Sequence, residues 1–298
     1  MTDGTQRRLV EGRGFVVGAF VCPPSSPRWR SENEIQLGPL FVFPGVPVEI
    51  QQAGQTSVAA DPNQVIFYNH AQRYTRRLLD ARGDRCTFVG LDPADVRAAL
   101  VHAGLSVGER PEAPFTFVRA PASAQVYLRH LAIERYALGE TARDDLLIHE
   151  ALLTILSEVV RGVPRERVRA RAERHRRGLE AVHAAQVLLG TRFGEPWSLA
   201  TLGAEVALSP FHLARLFREA LGTTVHAYLE QLRLRAGLLR LADGERLVDV
   251  ALDVGFSSHS HFTAAFRRRM GRTPREVRGW LEAPEALARV ALNPVSEA

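Results

Sequence analysis

The stretch VALDVGFSSHSHFTAAFRRRMGRTP, residues 250–274, reads as two short helices that meet at a corner. Phe262, Phe266 and Met270 recur every fourth residue with Ala265 beside them, which is the spacing of one buried stripe on a helix. That helix begins near Ser257 or Ser258, where a serine hydroxyl can satisfy backbone N–H groups left open at a helix start. Upstream, Val248, Val250, Ala251 and Val254 form a shorter helix that stops at Gly255, a residue free to take positive φ. Two helices joined so tightly fit a helix-turn-helix. The opposite face of the second helix carries His259, Ser260, Thr263, Arg267 and Arg268, all able to hydrogen-bond base edges or phosphates. In one isolated segment, such a face is more often simply solvated.

A second copy changes that balance. Residues 199–225, LATLGAEVALSPFHLARLFREALGTTV, superpose on the first stretch. Leu202, Glu205 and Ala207 stand 48 positions before Val250, Asp253 and Gly255, and Leu213, Phe217, Gly222 and Thr224 stand 49 before Phe262, Phe266, Gly271 and Thr273. One residue inserted in the second turn accounts for the difference. A solenoid needs roughly three or more such units to bury a continuous core, and two are present. Between them Val225–Leu241 reads as one long helix anchored by Tyr228, Leu229, Leu232, Leu239 and Leu241. A stiff spacer that sets the units about 34 Å apart would let both second helices enter successive major grooves on one side of a duplex.

These residues carry a family resemblance. Residues from about 180 to 281 resemble the DNA-binding domain of the AraC/XylS family of bacterial transcription regulators. The likeness rests on LSPFHLARLFREALG, on Arg233 and Leu234 in the spacer helix, and on VALDVGFSSHSHFTAAFRRRMGRTP with its closing G-x-T-P. It implies about seven helices holding two helix-turn-helix units, double-stranded promoter DNA as partner, activation through RNA polymerase, a small-molecule effector and a homodimer. Carried over by position, the first unit would meet DNA through Pro210, Phe211, His212, Ala214, Arg215 and Arg218. The second would use His259, Ser260, His261, Thr263 and Ala264, with Arg267 and Arg268 on phosphates. Arg215 is the expected specific reader, because a guanidinium fork matches guanine O6 and N7. The chain departs from the family at Ala207, where the second unit has Gly255, and at Gly203 and Gly237, where alanine is commoner. A glycine inside a helix costs up to about 1 kcal/mol relative to alanine, so a slightly softened domain is expected.

Bulk properties agree. The 298 residues suffice for two domains, and 46% hydrophobic with 24% charged residues is an ordinary globular composition. A formal charge of +5, supplied on the basic side by arginine alone, suits a polyanionic partner without requiring one. Cys22 and Cys86 are the two cysteines, too few and too far apart for a metal or disulfide framework. The first twenty residues lack a signal-peptide pattern, and no apolar run approaches the 18–20 residues or so that span a bilayer. The cytoplasm of a bacterium, at its nucleoid and away from membrane, is therefore the expected location.

The first part of the chain obeys other rules. From Phe15 to about Leu91 the runs FVVGAFVC, IQLGPLFVF, VEIQQ, QVIFYN and CTFVGL alternate with Gly, Pro and Asp-Pro-Asn punctuation. An antiparallel β-barrel or sandwich follows, which resembles the cupin-like sensor domain of the same family, and the whole chain is α+β. His70 is the sole histidine before Leu91, so no metal site is expected there. Tyr68, His70, Tyr74 and Arg76 are read either as packing and surface residues or as an effector site. His259 and His261, two apart on a helix, point in different directions and do not make a metal pair.

Beyond the strands, DPADVRAALVHAG, SAQVYLRHLAIERYAL and DDLLIHEALLTILSEVVRG are helical, with Leu147, Ala151, Leu152, Ile155 and Val159 on one stripe. They either cover the barrel or pair with a second subunit. The expected division is a β-barrel domain at 1–110, a helical dimerisation region at 111–165, an arginine-dense linker at 166–176, the DNA-binding domain at 177–285 and a tail at 286–298. The two helix-turn-helix units are expected at about 199–221 and 247–270. Two other classes stand against the regulator: a metal-dependent cupin enzyme, and a DNA-alkylation response protein with an accessory helix-turn-helix. Neither a ligand cluster, a triad, a phosphate loop nor an activated thiolate pattern supports an enzyme, and no cofactor or catalytic residue is expected.

Overall fold

A computed structural model describes residues 5–139, 144–163 and 176–282. They fall into two compact units, the first made of the residues up to Val163 together with those from Trp280 onward, and the second of the stretch between them, which ends at Gly279. The expected linker up to residue 175 and the expected tail lie outside the described residues.

The first unit holds ten described strands: β1 (Thr5–Gly12), β2 (Phe15–Cys22), β3 (Asn33–Glu34), β4 (Leu40–Pro44), β5 (Val48–Gln52), β6 (Val58–Ala60), β7 (Gln64–Tyr68), β8 (Arg73–Leu78), β9 (Asp84–Leu91) and β10 (Arg119–Pro121). They pair antiparallel in two sheets, ordered β1-β2-β9-β4-β7-β10 and β3-β8-β5-β6. The sheets face each other without closing into one ring. Strand periodicity explains the layering. Phe41, Phe43, Val65, Phe67 and Val89 point from the larger sheet into a core shared with helices α1 (Pro93–His102), α2 (Ala124–Leu138) and α3 (Asp145–Arg161). Their neighbours Leu40, Ile66, Tyr68 and Phe88 point the other way, against Val48, Ile50, Val58 and Tyr74 of the smaller sheet. The expected stripe of α3 is thus buried within its own chain at Ala151, Leu152, Ile155 and Val159, with Leu147 half-buried.

Five of the ten described strands, β1, β3, β6, β8 and β10, lay outside the sequence reading. β1 and β8 are rich in arginine, and at β8 only Tyr74 and Arg76 turn inward while the remaining positions are exposed. Conversely, Ile35–Pro39 does not join the strand that begins at Leu40.

The second unit contains seven described helices: α4 (Arg176–Thr191), α5 (Leu199–Glu205), α6 (Pro210–Leu221), α7 (Val225–Ala242), α8 (Leu247–Asp253), α9 (His259–Met270) and α10 (Pro274–Glu282). The duplication in sequence is a duplication in geometry. Ser209 and Ser258 cap α6 and α9 by accepting from the N–H three residues on, and Gly222 and Gly271 end them at φ 69° and 72°. Phe217 and Phe266 are fully buried, as are Leu213, Phe262 and Ala265. Val248, by contrast, is exposed and drops out of the apolar side of α8.

The central α7 serves both halves. Its Tyr228 meets Phe217 edge-on at 5.4 Å in the first core, while Gly237 lies under the ring of Phe262 in the second. A Cβ at Gly237 would sit 2.7 Å from that ring, and one at Gly203 would sit 2.6 Å from the Leu208 carbonyl oxygen. The two glycines are therefore close-packing positions, and the softening expected from helix propensity does not apply. The first turn instead places its strain at Ala207, φ 54°, where the second uses Gly255 at φ 93°.

Two substitutions check this packing. Gly237→Ala is expected to lower stability by about 1–3 kcal/mol through overpacking, against the sign of helix propensity. Phe266→Ala is expected to cost about 3–5 kcal/mol. Thermal melts read both, and a Gly237→Ala protein melting at or above the parent would refute the contact with Phe262.

Candidate nucleic-acid interface and a cavity in the first unit

Because apolar residues claim one side of α6 and α9, the remaining positions are driven outward. On α6, Pro210, Phe211, His212, Arg215 and Arg218 are exposed and Ala214 is half-buried. Phe211, 79% exposed, is an apolar ring held in solvent at the first turn of the helix. Arg215 donates to Glu219 at 3.1 Å and lies 3.4 Å from His212 Nε2. Both partners of that ion pair are partly exposed, so it is worth at most about 1 kcal/mol and yields readily to a stronger acceptor.

On α9, His259, Ser260, Thr263, Ala264, Arg267 and Arg268 border one shallow surface hollow, joined by Thr273. Thr273 was named in the sequence only as the repeat partner of Thr224 and within G-x-T-P, not among the expected contact residues. His261 turns aside from this group: its Nδ1 lies 3.2 Å from Ser257 Oγ and its ring packs edge-on against Phe256. Arg268 is already engaged, donating to Glu230 Oε1 at 2.5 Å, while Arg269 donates to Glu230 Oε2 at 2.8 Å. Glu230 belongs to α7 and is buried, so two arginines of α9 converge on one sheltered carboxylate.

A second tie was likewise missed. Arg233 of α7 donates through Nε to the Phe193 carbonyl at 2.8 Å and through Nη2 to the Glu195 carbonyl at 2.7 Å. The loop it holds lies against the second turn, since a Cβ at Gly255 would stand 2.8 Å from the Gly194 carbonyl oxygen and 2.9 Å from Arg233 Nε. Gly255 is thus required twice, for its positive φ and for this approach.

In the first unit, a cavity of about 230 Å³ is bordered by Tyr68, Tyr74 and Arg76 among others, whereas His70 is exposed and outside it, with its Nδ1 3.0 Å from the Leu37 carbonyl oxygen. Arg76 is buried, donates to Asp84 Oδ2 at 2.7 Å and to the Tyr74 hydroxyl, and stacks 4.6 Å from the Phe20 ring centroid. Burial lifts the Asp84 carboxyl to about 6, with Arg76 pulling it back down. Burial likewise raises the Tyr68 hydroxyl and the Cys86 thiol well above their ordinary ranges. A raised thiol is the reverse of what a methyl-accepting cysteine needs. Among the described residues no group of three or more His, Cys, Asp or Glu is placed to hold a metal ion, and no helix is long and apolar enough to cross a membrane.

Comparison with known proteins gives the following likenesses. A helix-turn-helix domain model matches residues 202–279. The bifunctional transcriptional activator/DNA repair enzyme Ada of Escherichia coli is 30% identical over 168 residues, covering 56% of this chain and 46% of Ada. The transcriptional regulator ExsA of Pseudomonas aeruginosa is 32% identical over 98 residues, covering 33% of this chain and 35% of ExsA. The chain therefore spans less than half the length of these curated relatives. A solved transcriptional regulator from Chromobacterium violaceum, described as having an AraC-type DNA-binding domain, is 32% identical, covering 38% of this chain and 98% of that one at a TM-score of 0.33.

Two measurements test the electrostatics. Asp84 has a folded value above the ordinary 3.9 or so, so the stability it contributes is complete below about pH 4 and is lost as pH rises through about 6. Its carboxyl carbon should titrate near 6 by NMR, and a midpoint near 4 would mean that Arg76 fully offsets burial. Glu230→Ala, which leaves Arg268 and Arg269 without their acceptor, should destabilise the second unit by about 1–3 kcal/mol, discounted for the partial exposure of both arginines. Unchanged melting would show that the pair is only a surface contact.

Proposed function

Since the chain belongs to the AraC family of transcriptional regulators, with its helix-turn-helix domain at residues 202–279, we propose that α6 and α9 read double-stranded promoter DNA, each from the major groove. The observation that supports this most directly is the repeated pair of serine-capped, glycine-terminated helices whose polar faces are exposed and whose apolar faces meet the same helix α7. Phosphate contacts from the arginines would supply salt-dependent affinity, and base-edge contacts the specificity.

The two helices are unequal readers in this proposal. Arg215 and Phe211 supply a bidentate donor and an apolar contact for a thymine methyl. On α9, Ala264 has no hydrogen-bonding group and Arg268 is tied to Glu230, so His259, Ser260 and Thr263 carry base contacts while Arg267 grips phosphate. We further propose that an effector binds the first unit, in the cavity beside Tyr68, Tyr74 and Arg76, and that the protein acts in the bacterial cytoplasm as an activator that contacts RNA polymerase. A homodimer would form through faces of α1–α3 other than the buried stripe of α3.

Genomic fragments bound by the full chain define the operator, after which single variants separate the roles. Arg215→Ala should relax preference at one base pair by about 1–3 kcal/mol. Arg267→Ala should weaken all sequences alike and lower the slope of log affinity against log salt by about 1. An unchanged preference in Arg215→Ala, together with scrambled preference after substitution of His259, would reverse the assignment.

A further inference from the structure

The cavity of the first unit has a chemistry of its own. Its long walls are apolar, with Leu40, Val42, Ile50, Ile66 and Phe88 contributed by both sheets. Its charged residues are two arginines, Arg28 and Arg76, and two carboxylates, Glu34 and Asp84. The lining is therefore balanced, and the one charged pair that is fully buried, Arg76 with Asp84, is already closed at 2.7 Å. A carboxylate entering this space would meet no uncompensated positive charge and would lose its hydration.

Arg76 has donors to spare. It uses one N–H of Nη1 on Asp84 and one of Nη2 on Tyr74, and its face is covered by Phe20, so three of its five N–H groups, that of Nε among them, make no hydrogen bond although the residue is only 4% exposed. A buried N–H without an acceptor is costly, and such groups in folded proteins mark an explanation still to be found. About 230 Å³ of adjoining space is enough for a ring with one small substituent, since an apolar cavity of about 150 Å³ accommodates benzene.

We propose that this cavity binds a small, uncharged, mostly apolar molecule the size of a monosubstituted benzene, which brings one hydrogen-bond acceptor, such as a ketone or aldehyde oxygen, to the Arg76 guanidinium. This deepens the reading of the first unit as the effector-binding part and rests on it. Selection comes from three independent terms: the acceptor answers a free N–H, the apolar body answers the walls, and neutrality answers the closed ion pair.

Three probes of similar size separate these terms in calorimetric titrations of the full chain at pH 7.5: acetophenone, benzoate and ethylbenzene. Acetophenone should bind at least tenfold more tightly than either of the others. Asp84→Asn, which leaves the guanidinium uncompensated, should raise benzoate affinity at least tenfold. Val42→Phe, which fills the space from a half-buried wall position, should abolish binding of acetophenone while the melting curve remains cooperative. Benzoate binding the parent as tightly as acetophenone would overturn the neutral assignment, ethylbenzene binding as tightly would overturn the role of Arg76, and no binding by any probe would overturn the proposal. DNA affinity is measured in parallel by fluorescence anisotropy on a bound genomic fragment. Absence of acetophenone binding to the parent chain with DNA binding intact sinks this inference alone, and acetophenone binding with no genomic fragment bound supports it while sinking the regulator reading.

Discussion

Arg233 holds two carbonyls of one loop from the middle of α7, and the geometry of the second unit depends on that grip. The loop of Phe193–Glu195 leads into the first helix-turn-helix, and the turn of the second helix-turn-helix rests on the same loop at Gly194. A guanidinium has a planar fork that fixes direction as well as distance, which a lysine would not. Because the carbonyls are backbone groups, they position the loop without depending on a particular side chain there.

Around this tie, α7 is a common member of two cores. Eighteen residues of helix extend about 27 Å, long enough for its first half to pack on Phe217 and its second on Phe262. Glu230 adds a polar brace by gathering Arg268 and Arg269 from α9. The two helix-turn-helix units are consequently fixed through one rigid element rather than through direct contact of their exposed faces. Under the proposed function, two units held this way would need little reorganisation on docking to DNA, which would preserve affinity otherwise lost to ordering.

The second unit was largely legible in the sequence because its signals are local. Serine caps, an i, i+4 aromatic stripe and a terminating glycine each act within a few residues, and they occur twice at a nearly constant offset. What escaped were interactions across long separations: Glu230 with Arg268 and Arg269, Arg233 with Phe193, and the close approach at Gly237. Gly237 was read by propensity, which describes an isolated helix and knows nothing of the ring above it. In the first unit, strands buried on both faces, such as QVIFY, announced themselves as continuous apolar runs. RYTRRL did not, because a strand with only Tyr74 and Arg76 turned inward offers mostly solvent-facing charge. For the same reason the cavity could be guessed from Tyr68, Tyr74 and Arg76, while His70, two residues beyond Tyr68, fell just past the end of its strand and outside the wall.

The contact of Gly237 with Phe262 has an evolutionary corollary. A single hydrogen atom in place of a methyl group sets how near α7 and α9 can lie, so the two positions are sterically complementary and should vary together. Relatives with alanine in place of Gly237 must carry a smaller side chain opposite or let the helices separate, and either change alters the spacing at which the paired units present themselves. Substitutions at a wholly buried site would then drift in concert with the separation of the two exposed helices.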